Sequence, residues 1–267
     1  MDELVKDQYV HVDGVKLAVR DRGNGPARLL INGTAPQLWG SLPELLRESH
    51  RVVEYDRRSF MGSPAVPPRD PRRHAEDAAE LLGQINAAPA LVVGWSMGAI
   101  VAVDLACRHP HLISGLVLLE PPFRAKQHPR PAMLGAVGFA TLLGRFGRPS
   151  SGAERFLRWA LARSDGSSAY FDASADWRAE VRRNGTAIVS ELSAGEHLDR
   201  AAVSELGLPT TVVTGGLSDP VFRVAARRLS DVMPAAEFVT VPGSGHALPF
   251  DAAPAVAEIV ERRSHPA

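Results

Sequence analysis

The stretch from Leu91 to Ala102 restricts the possible folds more than any other part of the chain. An apolar run, Leu91-Val92-Val93, meets Gly94-Trp95-Ser96-Met97-Gly98, and a second apolar series, Ala99-Ile100-Val101-Ala102, follows at once. This order predicts a strand, a tight turn and a helix. A serine on such a turn takes a backbone conformation that crowds its neighbours, so the residues two before and two after it are best left without a Cβ, as Gly94 and Gly98 are. Its hydroxyl then stands clear at the helix N-terminus, where free backbone N–H groups and the positive end of the helix dipole can meet negative charge developing on a bound oxygen. Two glycines and a serine at this spacing also arise by chance in a chain with 23 glycines, so the flanking strand and helix patterns carry the assignment.

Those patterns extend along the chain. Gln8 to Val12 and Val15 to Arg20 alternate around Asp13-Gly14, which predicts an antiparallel hairpin. Arg28 to Ile31 reads as a buried strand ending at Asn32-Gly33-Thr34, Pro43 to Glu48 as a helix, Arg51 to Tyr55 as a strand, and Arg72 to Asn86 as a helix. The turn helix runs from Ala99 to Arg108, and Leu112 to Leu119 is a strand closed by Glu120-Pro121-Pro122. Thr210 to Thr214, Phe222 to Met233, Glu237 to Val241 and Pro254 to Arg262 repeat the strand and helix rhythm. Strands alternating with helices imply a mainly parallel sheet buried on both faces, with a ligand site at the carboxyl ends of its strands. Between Pro121 and Leu206 strand-like runs give way to three helical patterns, around Ala132 to Arg145, Ala153 to Arg163 and Asp176 to Leu192. The expected organisation is therefore a core over 1–120 and 207–267 with a helical insertion over 121–206.

Composition narrows the partners. With 267 residues, 45% of them hydrophobic and 22% charged, the chain can build one sizeable core with an inserted subdomain. Its formal net charge of zero gives no overall field that would draw nucleic acid or an anionic membrane, and neither is expected as a partner. The segment Met1 to Lys6 lacks the basic start and apolar stretch of a signal peptide, and no apolar run is long enough to span a bilayer. A soluble, cytoplasmic monomer or homodimer acting on a small molecule is the expectation. Cys107 is the single cysteine, which rules out an internal disulfide within one chain; it falls on a buried helix face, where a small core residue is the expected role.

A serine hydroxyl is a poor nucleophile until a base takes its proton, and that base must be held in one tautomer by a third group. His246, in the turn Pro242-Gly243-Ser244-Gly245-His246 after the last strand, lies at the same rim as Ser96. The remaining histidines, His11, His50, His74, His109, His111, His128, His197 and His265, read as solvated or structural. Asp219, after the preceding strand, is the preferred orienting acid, although Asp219-Pro220 is also a common helix start. Glu120, ending the strand after the turn helix, is its competitor.

The order Ser, Asp, His, together with Gly94 to Gly98, Asp56-Arg57-Arg58 and Gly243 to His246, resembles the α/β-hydrolase fold superfamily over nearly the whole chain outside the insertion. The resemblance implies a mostly parallel sheet of about eight strands flanked by helices, with the insertion as a helical cap. It implies an oxyanion hole from the backbone N–H groups of Met97 and Thr34, and no metal or organic cofactor. Many members carry His-Gly where this chain has Asn32-Gly33, and Ser59 stands where a glycine is common. In some relatives an acid at the position of Glu120 orients the histidine. Trp39 and Trp95, adjoining the oxyanion and nucleophile segments, are expected to line the pocket. Phe139, Leu142, Leu143, Phe146, Phe156, Leu157, Trp159 and Leu161 of the cap divide between pocket and cap core. Arg124, Arg130, Arg145, Arg148, Arg155 and Arg158 form either a solvated face or an attraction for a carboxylated substrate. The implied activity is serine hydrolysis of an ester, lactone or thioester of a small to medium apolar molecule. A perhydrolase, carbon-carbon hydrolase or cyclase on the same machinery, and a receptor that has lost turnover, are the alternatives.

Overall fold

The runs read as strands join in one eight-stranded sheet. The computed structural model describes residues 8–64, 70–127, 130–194 and 198–264. Strands β1 (Gln8–Val12) and β2 (Val15–Arg22) form a hairpin whose turn residues Asp13 and Gly14 both take positive φ, 42° and 71°. Then come β3 (Ala27–Ile31), helix α1 (Leu42–Leu46), β4 (Arg51–Tyr55), α2 (Pro71–Gln84), β5 (Ala90–Trp95), α3 (Met97–Arg108) and β6 (Ile113–Leu119). Among the described residues, six α-helices follow: α4 (Pro131–Arg145), α5 (Pro149–Ala160), α6 (Ala169–Asp172), α7 (Ala175–Arg183), α8 (Gly185–Ser193) and α9 (Arg200–Glu205). The chain closes with β7 (Thr210–Gly215), α10 (Pro220–Val232), β8 (Ala236–Val241), α11 (Leu248–Asp251) and α12 (Ala253–Ser264).

The strands lie in the order β1-β2-β4-β3-β5-β6-β7-β8, and every pairing from β4 to β8 is parallel. Only β1 with β2 and β2 with β4 run antiparallel. Because side chains alternate along a strand, neighbouring residues serve opposite faces. Leu29, Val92, Leu116 and Val212 pack with Leu81 and Leu82 of α2, Ile100 and Val103 of α3, and Leu229 of α10. Leu30, Val93, Val117 and Val213 pack on the other face with Leu42 and Leu46 of α1 and Val256, Ile259 and Val260 of α12. All residues of β3, β5 and β7 are buried, which is why Leu29 to Ile31 and Ala90 to Val93 read as continuous apolar runs instead of alternating ones.

The helical stretch predicted over Asp176 to Leu192 is two helices, broken at Asn184-Gly185. A Cβ on Gly185 would lie 2.6 Å from the backbone N of Ser150, so the break is set by packing against the start of α5 and not by local periodicity. Asn184 spans the break: its Nδ2 donates to Glu180 O at 2.9 Å, and its Oδ1 accepts from Met61 N–H at 2.8 Å, tying the turn to the loop after β4. Helices α6, α9 and α11 have 4, 6 and 4 residues, too few for a periodic pattern to betray them. No helix among the described residues is long and apolar enough to cross a membrane.

Glycine at the turn is a steric requirement. A Cβ on Gly94 would stand 2.6 Å from Ala99 Cα, and one on Gly98 would stand 1.9 Å from the carbonyl oxygen of Ile31 at the end of β3. Gly98→Ala should therefore cost about 3 kcal/mol or more, since backbone on both sides must move. Gly135→Ala in the middle of α4, where a Cβ meets nothing within 4 Å, should stabilise by about 0.5–1 kcal/mol. Urea denaturation of the two variants checks both signs.

Candidate active site

Ser96 sits between β5 and α3 with φ 54° and ψ −121°, a conformation that L-residues rarely adopt. Its N–H donates to Leu119 O at 2.8 Å, which ties the turn to the end of β6. The next residue, Met97, opens α3, and the first N–H groups of a helix have no acceptor within it. Gly33, after β3, lies so close that a Cβ there would be 2.9 Å from Ser96 Cβ. Thr34 follows it, and Thr34, Ser96 and Met97 all face one cavity.

His246 reaches the same cavity from the loop after β8. That loop is fastened at several points: Ser244 Oγ donates to Val241 O at 2.9 Å, Leu217 N–H to Ser244 O at 2.8 Å, and Gly245 N–H to Asp251 Oδ2 at 2.7 Å. Trp95 Nε1 donates to His246 O at 2.7 Å, and Phe222 stacks on the imidazole with ring centroids 3.7 Å apart. The imidazole so held has Nε2 3.0 Å from Ser96 Oγ and Nδ1 3.1 Å from Glu120 Oε2.

The carboxylate beside His246 is thus Glu120, and the expectation favouring Asp219 is corrected. Asp219 Oδ1 accepts from Val221 N–H at 2.8 Å and caps α10, the structural use that Asp-Pro suggests. Glu120 directly follows β6, the strand beside β5, and is fully buried. Its Oε1 accepts from Thr214 Oγ1 at 2.5 Å and from Gly215 N–H at 2.6 Å, leaving Oε2 for the imidazole. With an acceptor-only carboxylate on Nδ1, the bond network assigns the proton to Nδ1, and Nε2 is left bare to accept from the serine hydroxyl.

The tryptophans are a second correction. Trp39 and Trp95 are 3% and 1% exposed, packed edge to face at 6.3 Å; Trp39 bonds Gln37, and neither lines the cavity over Ser96. Met133 and Val137 of α4, Phe156 and Trp159 of α5, Leu192 of α8 and Phe222 of α10 line it instead, around about 70 Å³. Of the apolar residues expected in the cap, Phe139, Leu142 and Phe146 face outward, Leu143 is half-buried, and Leu157 and Leu161 are core. None of the six cap arginines named above lines this cavity; Arg155 lies over the Phe139 ring, and Arg158 near Tyr170.

Elsewhere the histidines are structural or solvated: His50 pairs with Glu261 at 2.8 Å, His109 with Glu76 at 3.0 Å, and His11 and His111 are exposed. His128, His197 and His265 lie outside the described residues. Burial pushes the Cys107 thiol up to about 11, which suits packing and not nucleophilic chemistry.

One charged group at the cavity was not foreseen. Glu191, wholly buried on α8, meets Arg57 and lies 3.4 Å from His74 Nε2. Its signal was present in the sequence: Ile188, Glu191 and Leu192 share the i, i+3, i+4 face of a helix, so a charge stands on an apolar stripe. Burial alone would raise the Glu191 carboxyl, but the Arg57 charge and the neighbouring His74 hold it well below the usual range. Burial, joined by the Arg57 charge, lowers His74 and keeps it neutral.

The model of the alpha/beta hydrolase family matches residues 29–259, and the chain belongs to that family. An uncharacterized hydrolase of Bacillus subtilis is 32% identical over 122 residues, 44% of this chain and 45% of its own. The pimeloyl-[acyl-carrier protein] methyl ester esterase of Aromatoleum aromaticum is 38% identical over 98 residues, 36% of this chain and 37% of its own. The chain thus spans less than half the length of these curated relatives. Among solved structures, bromoperoxidase from Bacillus anthracis superposes with a TM-score of 0.81 at 19% identity, covering 97% of this chain and 99% of its own, a likeness of fold.

A buried neutral histidine has a sign that can be checked. Its lowered folded value means that stability falls as pH drops below about 6.5, where the unfolded chain gains a proton the folded chain refuses. For Glu191, held low when folded, a further loss sets in as pH falls below about 4.5. In His74→Gln the loss between about pH 7 and 5 should be smaller, by at most about 1.4 kcal/mol per pH unit, as read from urea midpoints.

Proposed function

We propose that this chain is a serine hydrolase cleaving a carboxylic ester, lactone or thioester with a small apolar acyl group. The observation that carries the reading is the continuous line from Ser96 Oγ through His246 to Glu120, with links of 3.0 and 3.1 Å, at a turn that exposes the hydroxyl. Ser96 Oγ attacks the carbonyl carbon while His246 Nε2 takes the hydroxyl proton, and Glu120 supports the imidazolium that forms. The oxygen of the tetrahedral intermediate receives the N–H groups of Met97 and Thr34. His246 then returns the proton to the departing alkoxide or thiolate, leaving an acyl group on Ser96. Water, deprotonated by the same imidazole, attacks the acyl carbon; the bond from that carbon to Ser96 Oγ breaks, His246 returns the proton to Oγ, and the acid leaves.

Substrate size follows from the cavity. Its walls are almost entirely apolar, and 70 Å³ is room for about five water-sized groups, which suits a short acyl chain or small ring. Helices α4, α5 and α8 supply most of that wall and act as a cap over the nucleophile. The methyl ester esterase among the relatives supports ester cleavage as the reaction class.

Ser96→Ala should lower hydrolysis of p-nitrophenyl butyrate by about 10⁴-fold or more while leaving the circular dichroism spectrum unchanged. Undiminished hydrolysis would remove the assignment. Glu120→Gln should cost about 10³- to 10⁴-fold in kcat, whereas Asp219→Asn, which still caps α10, should stay within about twofold of the parent. Equal damage in the two acid variants would return Asp219 to the site.

A further inference from the structure

Gly33 and Thr34 share one trans peptide, in which the carbonyl of the first residue and the N–H of the second point in opposite directions. Whatever holds Gly33 O therefore aims Thr34 N–H. The short bond comes from Arg57, whose Nη2 donates to Gly33 O at 2.8 Å and whose Nε donates to Asn32 O at 3.0 Å; Asn32 Nδ2 reaches Gly33 O only at 3.5 Å. Arg57 is itself held by Glu191: Nη1 donates to Oε1 at 2.5 Å and Nη2 to Oε2 at 3.0 Å. The two side chains are 1% and 0% exposed, and they come from different parts of the molecule, the loop after β4 and the cap helix α8.

Burying such a pair is expensive in desolvation and contributes little to stability even when its bonds are satisfied. What it supplies is direction, because a forked guanidinium bound on one side by a carboxylate has a fixed plane on the other. Other contacts fasten these helices to the core: Trp177 Nε1 to Pro36 O at 3.3 Å, Arg163 Nε to Asp251 Oδ2 at 3.0 Å, and Met61 N to Asn184 Oδ1 at 2.8 Å. None of these three bonds the Gly33–Thr34 peptide. The adjacent Arg58 is equally buried but is spent on Asp77 of α2, at 2.9 and 2.8 Å, pointing its charge elsewhere.

We propose that Glu191 and Arg57 are positioning residues for the oxyanion-binding amide of Thr34: the cap carboxylate sets the guanidinium, and the guanidinium, through Gly33 O, sets the N–H. The inference rests on the acyl-transfer reading of Ser96. It makes the cap part of the catalytic apparatus, since a cap lifted from the core would carry Glu191 away and free the Gly33–Thr34 peptide to turn.

Two variants test it, Glu191→Gln and the paired replacement Arg57→Met with Glu191→Leu, which removes both buried charges and so avoids stranding one. Each is titrated with a fluorophosphonate, so that kcat is expressed per reactive Ser96 and an unfolded fraction does not count. The expected result is a kcat for p-nitrophenyl butyrate lowered about ten- to a hundredfold with KM within about twofold, because the lost contact matters most once the oxyanion exists. Inhibition by an alkylboronic acid, which forms a tetrahedral adduct on serine, should weaken by the same factor, while inhibition by butyrate stays constant. Arg58→Lys, the control, should change thermal stability without moving kcat per site. A kcat per site within twofold of the parent in either variant overturns the proposal, and failure of both to fold would assign the pair to the fold alone. If the parent protein takes no label at Ser96, the hydrolase reading itself has failed, an outcome distinct from either.

Discussion

The site depends on a close approach of backbone to backbone. The first turn of α3 lies against the end of β3, with Gly98 so near the Ile31 carbonyl that no side chain fits between them. That approach brings the loop after β3 beside the turn at Ser96, placing Gly33 against Ser96 and Thr34 in the same cavity. A side chain at Gly98 would push the helix outward and separate the serine from the loop that faces it. The order of strands does the rest, since β3, β5, β6 and β7 are consecutive neighbours and their carboxyl ends carry the Thr34 loop, Ser96, Glu120 and the Thr214-Gly215 pair that binds Glu120.

Two of these strand ends share an unusual backbone. Ser96 has φ 54° and Glu120 has φ 52°, both in the left-handed region that side-chain-bearing residues avoid. Such residues cost on the order of 1–3 kcal/mol each and persist where their surroundings over-determine them. Here the surroundings are specific: Ser96 N–H is fixed to Leu119 O at 2.8 Å, and Glu120 N–H to Val213 O at 2.8 Å, so each strained residue is pinned to the adjacent strand. Both side chains are thereby turned off their strands toward the imidazole, on which Phe222 stacks, while Trp95 Nε1 fixes the His246 carbonyl and Gly245 N–H ties the loop to Asp251.

Much of this was legible in the sequence, because strand and helix patterns are local. The runs at Arg51 to Tyr55 and Gln8 to Val12 are strands over the bounds their alternation and flanking turns suggest, and the turn at Ser96 has the glycines its geometry demands. The choice between Glu120 and Asp219 was not local. Both lie at the rim, and which one meets His246 depends on β6 being the lateral neighbour of β5 and on α10 consuming Asp219 as its cap. Trp95 misled for a related reason: successive residues point in opposite directions, so adjacency to Ser96 sends its indole under the His246 backbone and away from the cavity. The break at Gly185 was hidden because its cause, the start of α5, is remote in sequence.

The account stands on acyl transfer through Ser96, and the most direct measurement is the intermediate itself. The protein would be mixed with p-nitrophenyl acetate, quenched in acid during turnover, digested and mapped by mass spectrometry. The account predicts one acetyl group on Ser96 during turnover and none after the ester is exhausted. Turnover at full rate with Ser96 unmodified, or with the acetyl group lodged stably on another residue, would contradict it.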